Sequence, residues 1–202
     1  MTLGSPIGLY VKNVDFRIDD LIALTKPRPG HADLVGCLKY GHEDIRNVLE
    51  RASARETVSR VAVGAVCKQF LAEFDVKISS DVLMICGEKN KDKMIKKIEQ
   101  AKKNLDTCGG IFGVTAVGVV PGLGSYVAPD RRLTSRLAGA LMSIPAIKAI
   151  EFGLGTRYAM EFGSKVHDAI YYSKEKGYFR KTNHAGGIEG GMSNGESILI
   201  QC

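Results

Sequence analysis

Residues 50–72 constrain the fold most strongly, because they join a helix start signal to two apolar stripes at helical spacing. Ser53 followed three residues later by Glu56 has the form of a capping box, which predicts a helix that begins at Ala54. A helix that is apolar on two sides is expected to be central and buried. The first stripe is Val63, Val66, Cys67, Phe70 and Phe74, and the second is Val58, Val61, Ala62 and Ala65.

The start of this helix also carries two arginines, Arg51 and Arg55. Unpaired backbone N–H groups and the helix dipole favour an anion at a helix N-terminus, so two cations at this point predict a phosphate site. The alternative is that both arginines are solvated or pair with Glu50 and Glu56. Spacing alone leaves both interpretations open.

The overall charge also indicates an anionic partner. The formal charge is +6, and a nucleic acid, an acidic membrane surface or a phosphorylated metabolite would each complement it. No apolar run approaches the roughly 18–20 residues of a membrane span, and residues 1–20 lack a signal-peptide pattern. Five cysteines without a C-x-x-C pair favour a reduced, cytosolic protein without a metal site.

Much of the positive charge lies in one predicted helix. Residues 90–105 have the apolar spacing of an amphipathic helix. Residues 88–103 hold seven lysines against three acids, a local excess of +4. Such a run is compatible with binding to nucleic acid or to a membrane surface. The absence of arginine and of interleaved aromatic residues instead favours the solvated face of a surface helix.

Strand patterns alternate with helical patterns along the rest of the chain. Residues 76–79 and 81–86 predict two short strands, and the apolar runs 111–120 and 197–201 predict two more. Residues 171–180 are polar and predict a loop. The alternation predicts a layered α/β or α+β architecture. No repeat or Pro-rich linker marks a domain boundary.

Two loops have compositions suited to binding. Two prolines and a glycine exclude a regular helix from residues 26–33, where His31 would act as an acid or base near neutral pH. A structural histidine that satisfies loop backbone groups is the alternative. Residues 183–195 contain five glycines, whose N–H groups would be open to a flat or phosphorylated ligand. A flexible surface loop is the alternative there.

Five sequence blocks resemble the chorismate synthase family and occur in family order. The central block is Arg-Ala-Ser-Ala-Arg-Glu-Thr at residues 51–57, followed by Arg-Val-Ala-Val-Gly-Ala at residues 60–65. Together the matches extend from about residue 4 to residue 195, nearly the whole chain. The other blocks are Arg-Pro-Gly-His-Ala-Asp at 28–33, Pro-Gly-Leu-Gly-Ser at 121–125, Leu-Met-Ser-Ile-Pro-Ala-Ile-Lys at 141–148 and Asn-His-Ala-Gly-Gly-Ile-Glu-Gly-Gly at 183–191.

This resemblance implies a fold and an activity. Chorismate synthase is an α+β protein with a β-α-β sandwich, usually a cytoplasmic homotetramer. It eliminates phosphate from 5-enolpyruvylshikimate 3-phosphate to give chorismate, in aromatic amino acid biosynthesis. The reaction needs reduced FMN, and some family members use NADPH as the reductant. A basic pocket that holds two anionic ligands agrees with the positive charge of the chain.

The resemblance also implies roles for individual residues. His31 matches a catalytic histidine proposed to tune the protonation of reduced flavin. Ser53 and Arg55 match positions close to the substrate, and a cap residue such as Ser53 would lie beside an anion at the helix start. The positions that match flavin contacts are Arg51, Ala52, Ser53, Pro145, Ala146 and Gly190.

The sequence also departs from the family pattern. Family members have an earlier region with a Ser-His pair and an arginine-rich stretch, and a later region with a Lys-Pro block and an Arg-Asp pair. Neither region is present, so we expect residues 1–202 to be a single chorismate synthase domain truncated at both ends. We expect such a chain to bind FMN poorly and to have little activity. The alternatives are an inactive structural fragment of the synthase and, from the lysine-rich helix, a basic nucleic-acid-binding module.

Overall fold

A computed structural model of the chain describes residues 3–14, 21–52 and 55–202. The chain forms two compact units, residues 1–69 and residues 70–202. The helices are α1 (Asp33–Tyr40), α2 (Arg46–Ala52), α3 (Arg55–Ala72), α4 (Lys91–Lys103), α5 (Leu133–Met142) and α6 (Gly163–Val166). The strands are β1 (Lys77–Ile85), β2 (Gly110–Val117), β3 (Glu151–Phe152), β4 (Ile170–Ser173), β5 (Gly177–Arg180), β6 (Ile188–Glu189), β7 (Met192–Ser193) and β8 (Ile198–Gln201).

In the first unit, α1 and α2 pack against each other at a glycine. A Cβ built on Gly36 would lie 2.6 Å from a methyl group of Val48, so only glycine allows this approach. Val48 and the neighbouring Ile45 are both buried. The helix α1 ends at Gly41, which has a φ of 69° and donates its N–H to the carbonyl of Cys37. Residues 26–32, directly before α1, form a loop, as the prolines predict.

The helix α3 exists as predicted, but the prediction that it is buried is wrong. It begins at Arg55, and the predicted cap Ser53 lies outside the described residues. Val61 is 66% exposed. A periodic pattern identifies the apolar face of a helix. It does not show that another element of the chain packs against that face. The exposed members of the two stripes are Val58, Val61, Val63, Phe70 and Phe74.

The second unit is built on a four-stranded antiparallel sheet in the order β1-β2-β8-β3. The predicted strands at 111–120 and 197–201 are confirmed as β2 and β8. The two strands predicted at 76–79 and 81–86 are one strand, because a register shift between Val82 and Met84 accommodates an extra residue without breaking the pairing with β2.

The core of this unit lies where β8 meets α5. Ile198 and Ile200 of β8 are buried with Val119 and Ile188. The leucines at helical spacing along α5 pack against this cluster; they are Leu133, Leu137 and Leu141. Helices and antiparallel strands in one unit confirm the α+β class that the sequence predicts.

The lysine-rich helix is confirmed as α4. Asn90 is its N-cap, and the Asn90 side chain accepts hydrogen bonds from the N–H groups of Asp92 and Lys93. Met94 is buried where α4 packs against β1. No described helix combines the length and apolar character that a membrane crossing requires.

The loop predicted for residues 171–180 is wrong, because this segment forms the hairpin β4-β5. Tyr171 pairs with Phe179 across the hairpin at a ring-centroid distance of 5.8 Å, and Tyr172 pairs with Tyr178 at 5.1 Å. Cross-strand aromatic pairs stabilise a hairpin, and this contribution outweighs the polar character of the intervening residues. The positive φ of 66° at Gly177 supports the tight connection between the strands.

The glycine-rich segment before β8 crosses close to the chain after β3. Gly186 has a φ of 63°, and a Cβ built on it would lie 2.7 Å from the Cα of Gly153. Gly186 accepts a hydrogen bond from the N–H of Leu199, while Gly153 donates its N–H to the carbonyl of Leu199. Because neither residue has a Cβ, the two segments approach closely enough for both to hydrogen-bond to β8.

This crossing predicts the effect of two alanine substitutions. Gly186→Ala should lower the free energy of unfolding of the second unit by at least ~2 kcal/mol, because the left-handed φ and the contact with Gly153 both oppose a Cβ. Gly139→Ala is the control, since Gly139 lies in α5 with no atom within 4 Å of a built Cβ. It should raise stability by ~0.5–1 kcal/mol through helix propensity. Urea denaturation measures both, and equal effects would contradict the close crossing.

Candidate functional site

A buried aspartate holds the proline-containing loop at the start of the first unit. The Asp33 side chain is 3% exposed and accepts hydrogen bonds from the backbone N–H, Nε and Nη2 of Arg28, at 2.9, 2.9 and 3.1 Å. The Arg28 side-chain and backbone hydrogen bonds lower the pKa of Asp33 to about 2. The bidentate ion pair therefore fixes the loop, although the loop contains a flexible glycine.

His31 lies on the exposed side of this loop. Its Nδ1 lies 2.9 Å from the carbonyl oxygen of Pro29, which favours the tautomer with the proton on Nδ1. In that tautomer Nε2 is an acceptor that faces solvent. The predicted acid or base is thus oriented by one backbone contact and accessible to a ligand.

Arg51 and Ala52, two of the predicted flavin contacts, lie together in the first unit. Both line a cavity of about 390 Å³ between α1 and α2, which also has Tyr40, His42 and Asn47 on its wall. Arg51 is exposed at the end of α2. Ser53 and the side chain of Arg55 lie outside the described residues, so the structure does not place the predicted substrate contacts.

Pro145 and Ala146 lie together in the second unit, in a turn that follows α5. The N–H of Ile147 donates to the carbonyl of Ile144 at 3.3 Å, and Ala146 has a φ of 70°. Proline at the second position and positive φ at the third are the pattern of a type II turn, which normally places glycine where Ala146 stands. The alanine is therefore held in a conformation that its Cβ opposes.

The same turn forms one wall of a largely apolar cavity. Its volume is about 400 Å³. The opposite walls come from the ends of β1 and β2 and from one residue of α4. The residues beside Pro145 and Ala146 that line it include Met84, Ile98, Cys108, Ile111 and Phe112.

The glycine-rich segment is packed and hydrogen-bonded, and it is not the flexible loop of the alternative interpretation. Asn183 bridges it, because its Oδ1 accepts from the N–H of Gly187 at 2.8 Å and its Nδ2 donates to the carbonyl of Ser197 at 2.7 Å. Gly186 and Gly187 are buried. The bridge fixes the path of the chain from residue 183 to β8.

Asp168 anchors the start of this segment. Its side chain is 0% exposed, and its oxygens accept from the N–H groups of His184 and Ala185, each at 2.8 Å, and from the hydroxyl of Thr182. Burial raises the pKa of Asp168, but the hydrogen bonds from Ala185, Thr182 and His184 outweigh burial and leave the pKa below its ordinary value. Three donors thus stabilise one buried carboxylate.

Arg180 anchors the other end, next to the predicted flavin contact Gly190. Its side chain is 9% exposed and donates from Nε and Nη2 to the two carboxylate oxygens of Glu189, each at 2.7 Å. Its Nη1 donates to the carbonyl of Asn194, whose side chain donates to Glu189. This network holds the hairpin of β6 and β7, in which Gly190 is a turn residue.

Gly190 presents an open face at the turn of that hairpin. It has a φ of 57°, and no atom lies within 4 Å of a Cβ built on it. Gly191 beside it is different, because a built Cβ would lie 2.7 Å from the Arg132 side chain. Gly191 is therefore required by packing, whereas Gly190 leaves space beside its backbone.

The structure brings the predicted residues together in pairs. Arg51 and Ala52 share one cavity of the first unit, and Pro145 and Ala146 share one cavity of the second. Gly190 lies in the second unit but does not line that second cavity. In the part of the chain that the structure describes, no group of three or more His, Cys, Asp and Glu side chains could hold a metal ion.

Sequence reasoning missed the charged residues that position the glycine-rich segment. Asp168 and Arg180 belong to no motif, because their partners lie 9 to 17 residues away along the chain. Glu189 lies in the block at 183–191, but the resemblance assigns it no role. Arg180 was further hidden by the incorrect loop prediction for residues 171–180. The only local signal for Arg180 is its position as a charged residue at the end of an aromatic strand.

Comparison with known proteins identifies the class to which this α+β chain belongs. The family model described as "Chorismate synthase" matches residues 1–202. The Chorismate synthase of Thermoanaerobacter pseudethanolicus is 51% identical over 203 residues, covering 99% of this chain and 58% of that protein. The Chorismate synthase of Alkaliphilus metalliredigens is 46% identical, covering 100% of this chain and 62% of that protein.

A solved structure agrees. A chain in a structure titled "Crystal Structure of Chorismate Synthase" superposes with a TM-score of 0.80 and 43% identity, covering 84% of this chain and 61% of that one. The chain belongs to the chorismate synthase family. It spans about three fifths of the length of the curated relatives it matches.

The Asp168 network predicts a pH-dependent effect of substitution. Asp168→Asn should lower the free energy of unfolding by ~1–3 kcal/mol at neutral pH, because an amide N–H₂ would face a backbone N–H donor. Since the folded pKa of Asp168 is lowered, its contribution is present above about pH 5 and is lost as pH falls below about 4. The difference in free energy of unfolding between the wild type and Asp168→Asn should therefore be smaller in acid.

Urea denaturation at pH 7 and near pH 3.5 measures this change. Asp130→Asn is the control, because Asp130 is exposed, and it should have little effect at either pH. A deficit for Asp168→Asn that is the same at both pH values would show that the carboxylate charge contributes nothing.

Proposed function

We propose that this chain forms part of the active site of a chorismate synthase. The reaction eliminates phosphate from 5-enolpyruvylshikimate 3-phosphate and forms chorismate in aromatic amino acid biosynthesis, with reduced FMN as cofactor. The observation that carries the proposal is the match to the family over residues 1–202, at 46–51% identity with curated relatives. We further propose that both compact units belong to one domain, and that the protein acts in the cytoplasm as a homotetramer.

Arg51 has the chemistry to bind an anionic group of the cofactor or substrate. It is exposed on the wall of the first-unit cavity, where Asn47 and His42 supply further polar atoms. A guanidinium donates in a planar fork that suits phosphate. The formal charge of +6 would also draw two anionic ligands to the protein.

Pro145, Ala146 and Gly190 have the shapes to contact the flavin. The turn at Pro145 and Ala146 is rigid and borders an apolar cavity, and Gly190 has an open backbone face. A flat ring system needs apolar walls and close backbone approach, which these residues supply. The group that these residues would hold is reduced FMN, for which NADPH is the reductant in some family members; it would supply an electron that is later recovered, so that the elimination has no net redox change.

His31 would hold or move a proton at Nε2. Its Nδ1 is engaged by the Pro29 carbonyl, so Nε2 is the ring atom that remains available. The clamp between Arg28 and Asp33 fixes the loop that carries it. A fixed histidine with one exposed nitrogen suits general acid–base chemistry. Ser53 and Arg55 are proposed to contact the substrate beside it.

The proposal predicts a specific role for Arg51. Arg51→Ala should weaken binding of reduced FMN, with substrate present, by about tenfold or more, because one charge-assisted hydrogen bond is lost. Lys96→Ala is the matched control, since Lys96 is an exposed cation on α4. It should leave the affinity unchanged. Flavin absorbance and chorismate release measure binding and turnover.

The outcomes of this experiment separate the alternatives. Equal affinity for the wild type and Arg51→Ala would contradict the proposed site. No flavin signal from the wild type would favour an inactive structural fragment. Binding to a DNA or RNA oligonucleotide that falls steeply with salt, and that is weakened by Lys96→Ala, would favour the nucleic-acid module.

The strained turn predicts opposite effects on stability and binding. Ala146→Gly should leave the free energy of unfolding unchanged or raise it by up to ~1 kcal/mol, because glycine adopts a φ of 70° without strain. Loss of one methyl contact should weaken FMN binding by about threefold. Urea denaturation and flavin titration measure the two effects. A clear loss of stability would contradict the strain that we assign to Ala146.

A further inference from the structure

Two cysteines meet where β1 and β2 are connected to α4. The N–H of Cys86 donates to the carbonyl of Gly109 at 2.9 Å, which places Cys86 opposite the residue next to Cys108. The strand register agrees, since Ile85 pairs with Gly110. The Cys86 side chain is also the largest cause of the raised pKa of Cys108, which agrees with this proximity. The two thiols are therefore neighbours, although they are separated by the whole of α4 along the chain.

The backbone conformation at Cys86 is one that disfavours cysteine. Residues 85–88 form a tight turn with mutual hydrogen bonds between Ile85 and Glu88. The central residues Cys86 and Gly87 have φ values of 47° and 81°. Turns with positive φ at both central residues favour Asn or Asp before Gly. Cysteine at this position costs backbone strain and places a thiol beside Cys108.

From this geometry we propose that Cys86 and Cys108 are a redox-active pair that closes to a disulfide on exposure to a peroxide or to a small-molecule disulfide. Cys86 is exposed and Cys108 is half-buried, and both are free thiols in the reduced protein. The exposed sulfur is the one that meets an oxidant from solvent, and the half-buried sulfur resolves the product. This inference goes beyond the proposed function, and its test needs neither flavin nor substrate.

The surroundings of Cys108 agree with the resolving role. Hydrogen bonding to Cys86, followed by burial, raises the pKa of Cys108. Its Sγ also donates to the carbonyl of Lys97 at 3.6 Å. The raised pKa favours the protonated thiol of Cys108. A second thiol held beside a solvent-exposed one is the arrangement found in redox-sensing pairs.

The reaction with hydrogen peroxide balances as a two-electron oxidation of the pair. The Cys86 thiolate attacks one peroxide oxygen, the O–O bond breaks, and the departing hydroxide takes a proton to form water. The Cys108 sulfur then attacks the sulfur of the Cys86 sulfenic acid, the S–O bond breaks, and the Cys108 proton leaves in a second water. With a small-molecule disulfide, two successive thiol–disulfide exchanges give the same bond and release two small thiols.

The bond would change one wall of the second-unit cavity. Cys108 lines that cavity together with Pro145 and Ala146. A link to Cys86 would tie the turn at residues 85–88 to the start of β2 and hold both ends of the α4 connection. The cavity wall would then differ between the reduced and oxidised proteins.

Peptide mapping of the full chain tests the proposal. The protein is treated with hydrogen peroxide or oxidised glutathione, free thiols are alkylated under denaturing conditions, and the chain is cut with trypsin without reduction. Cys86 lies in the tryptic peptide 78–89 and Cys108 in the peptide 104–131, whereas Cys67 lies in the peptide 61–68. We expect a linked species of 78–89 with 104–131 that lacks two hydrogens and disappears on treatment with dithiothreitol.

Two variants make the test specific. Cys67→Ser removes an exposed cysteine of α3 and should leave the yield of the linked species unchanged. Cys86→Ser should abolish it and leave Cys108 alkylated. The proposal is overturned if oxidation leaves both peptides alkylated, if Cys86 stops at sulfinic acid, or if the main product is an intermolecular disulfide seen as a dimer on a non-reducing gel.

Discussion

The pairing of β8 between β2 and β3 is the interaction on which the second unit depends. β8 supplies Ile198 and Ile200 to the core, and its Leu199 bonds to Gly186 and Gly153 on the two crossing segments. A single strand thus fixes the sheet, the segment after β3 and the glycine-rich segment. These contacts are non-local, so both crossing segments depend on β8 for hydrogen bonds that hold them.

Buried charges then fix the loops that the sheet leaves irregular. The side chains of Asp33, Asp168 and Arg180 are each nearly or fully buried, and each takes part in three hydrogen bonds in the described chain. Removing one partner from such a group is costly, because the remaining charge or polar group stays in a poorly solvated place. The loops are therefore set before any ligand arrives. A preorganised loop loses less conformational entropy on binding than a flexible one.

Local sequence patterns predicted the elements whose signals are local. The apolar spacing of residues 90–105 predicted α4, and an unbroken apolar run predicted β2. The same reasoning failed for the hairpin at residues 171–180, because its aromatic pairs form across strands. The prediction that α3 is buried also failed, because an apolar pattern does not show which element packs against the apolar face. The same difference between local and non-local signals applies to the residues of the candidate site.

Family blocks identified Arg51, Pro145, Ala146 and Gly190 as site residues, because such blocks record positions along one stretch of chain. The charged contacts that hold the glycine-rich segment and Gly190 join residues from different stretches, and no block contains both partners. The position of Gly190, for example, depends on Arg180, which belongs to another hairpin. Residues that support a site are thus harder to predict than residues within it.

Backbone strain marks the turn at Pro145 and Ala146, as it marks the turn at Cys86. Four non-glycine residues described by the structure have positive φ. Asp75 and Leu105 follow the ends of α3 and α4, where a left-handed residue commonly ends a helix. Cys86 lies in the tight turn before α4. At Ala146, as at Cys86, glycine would complete the turn without strain. Strain of this kind persists where the surroundings enforce it, and here they keep a methyl group beside an apolar cavity. That methyl group is the strongest structural reason to expect a ligand at this wall.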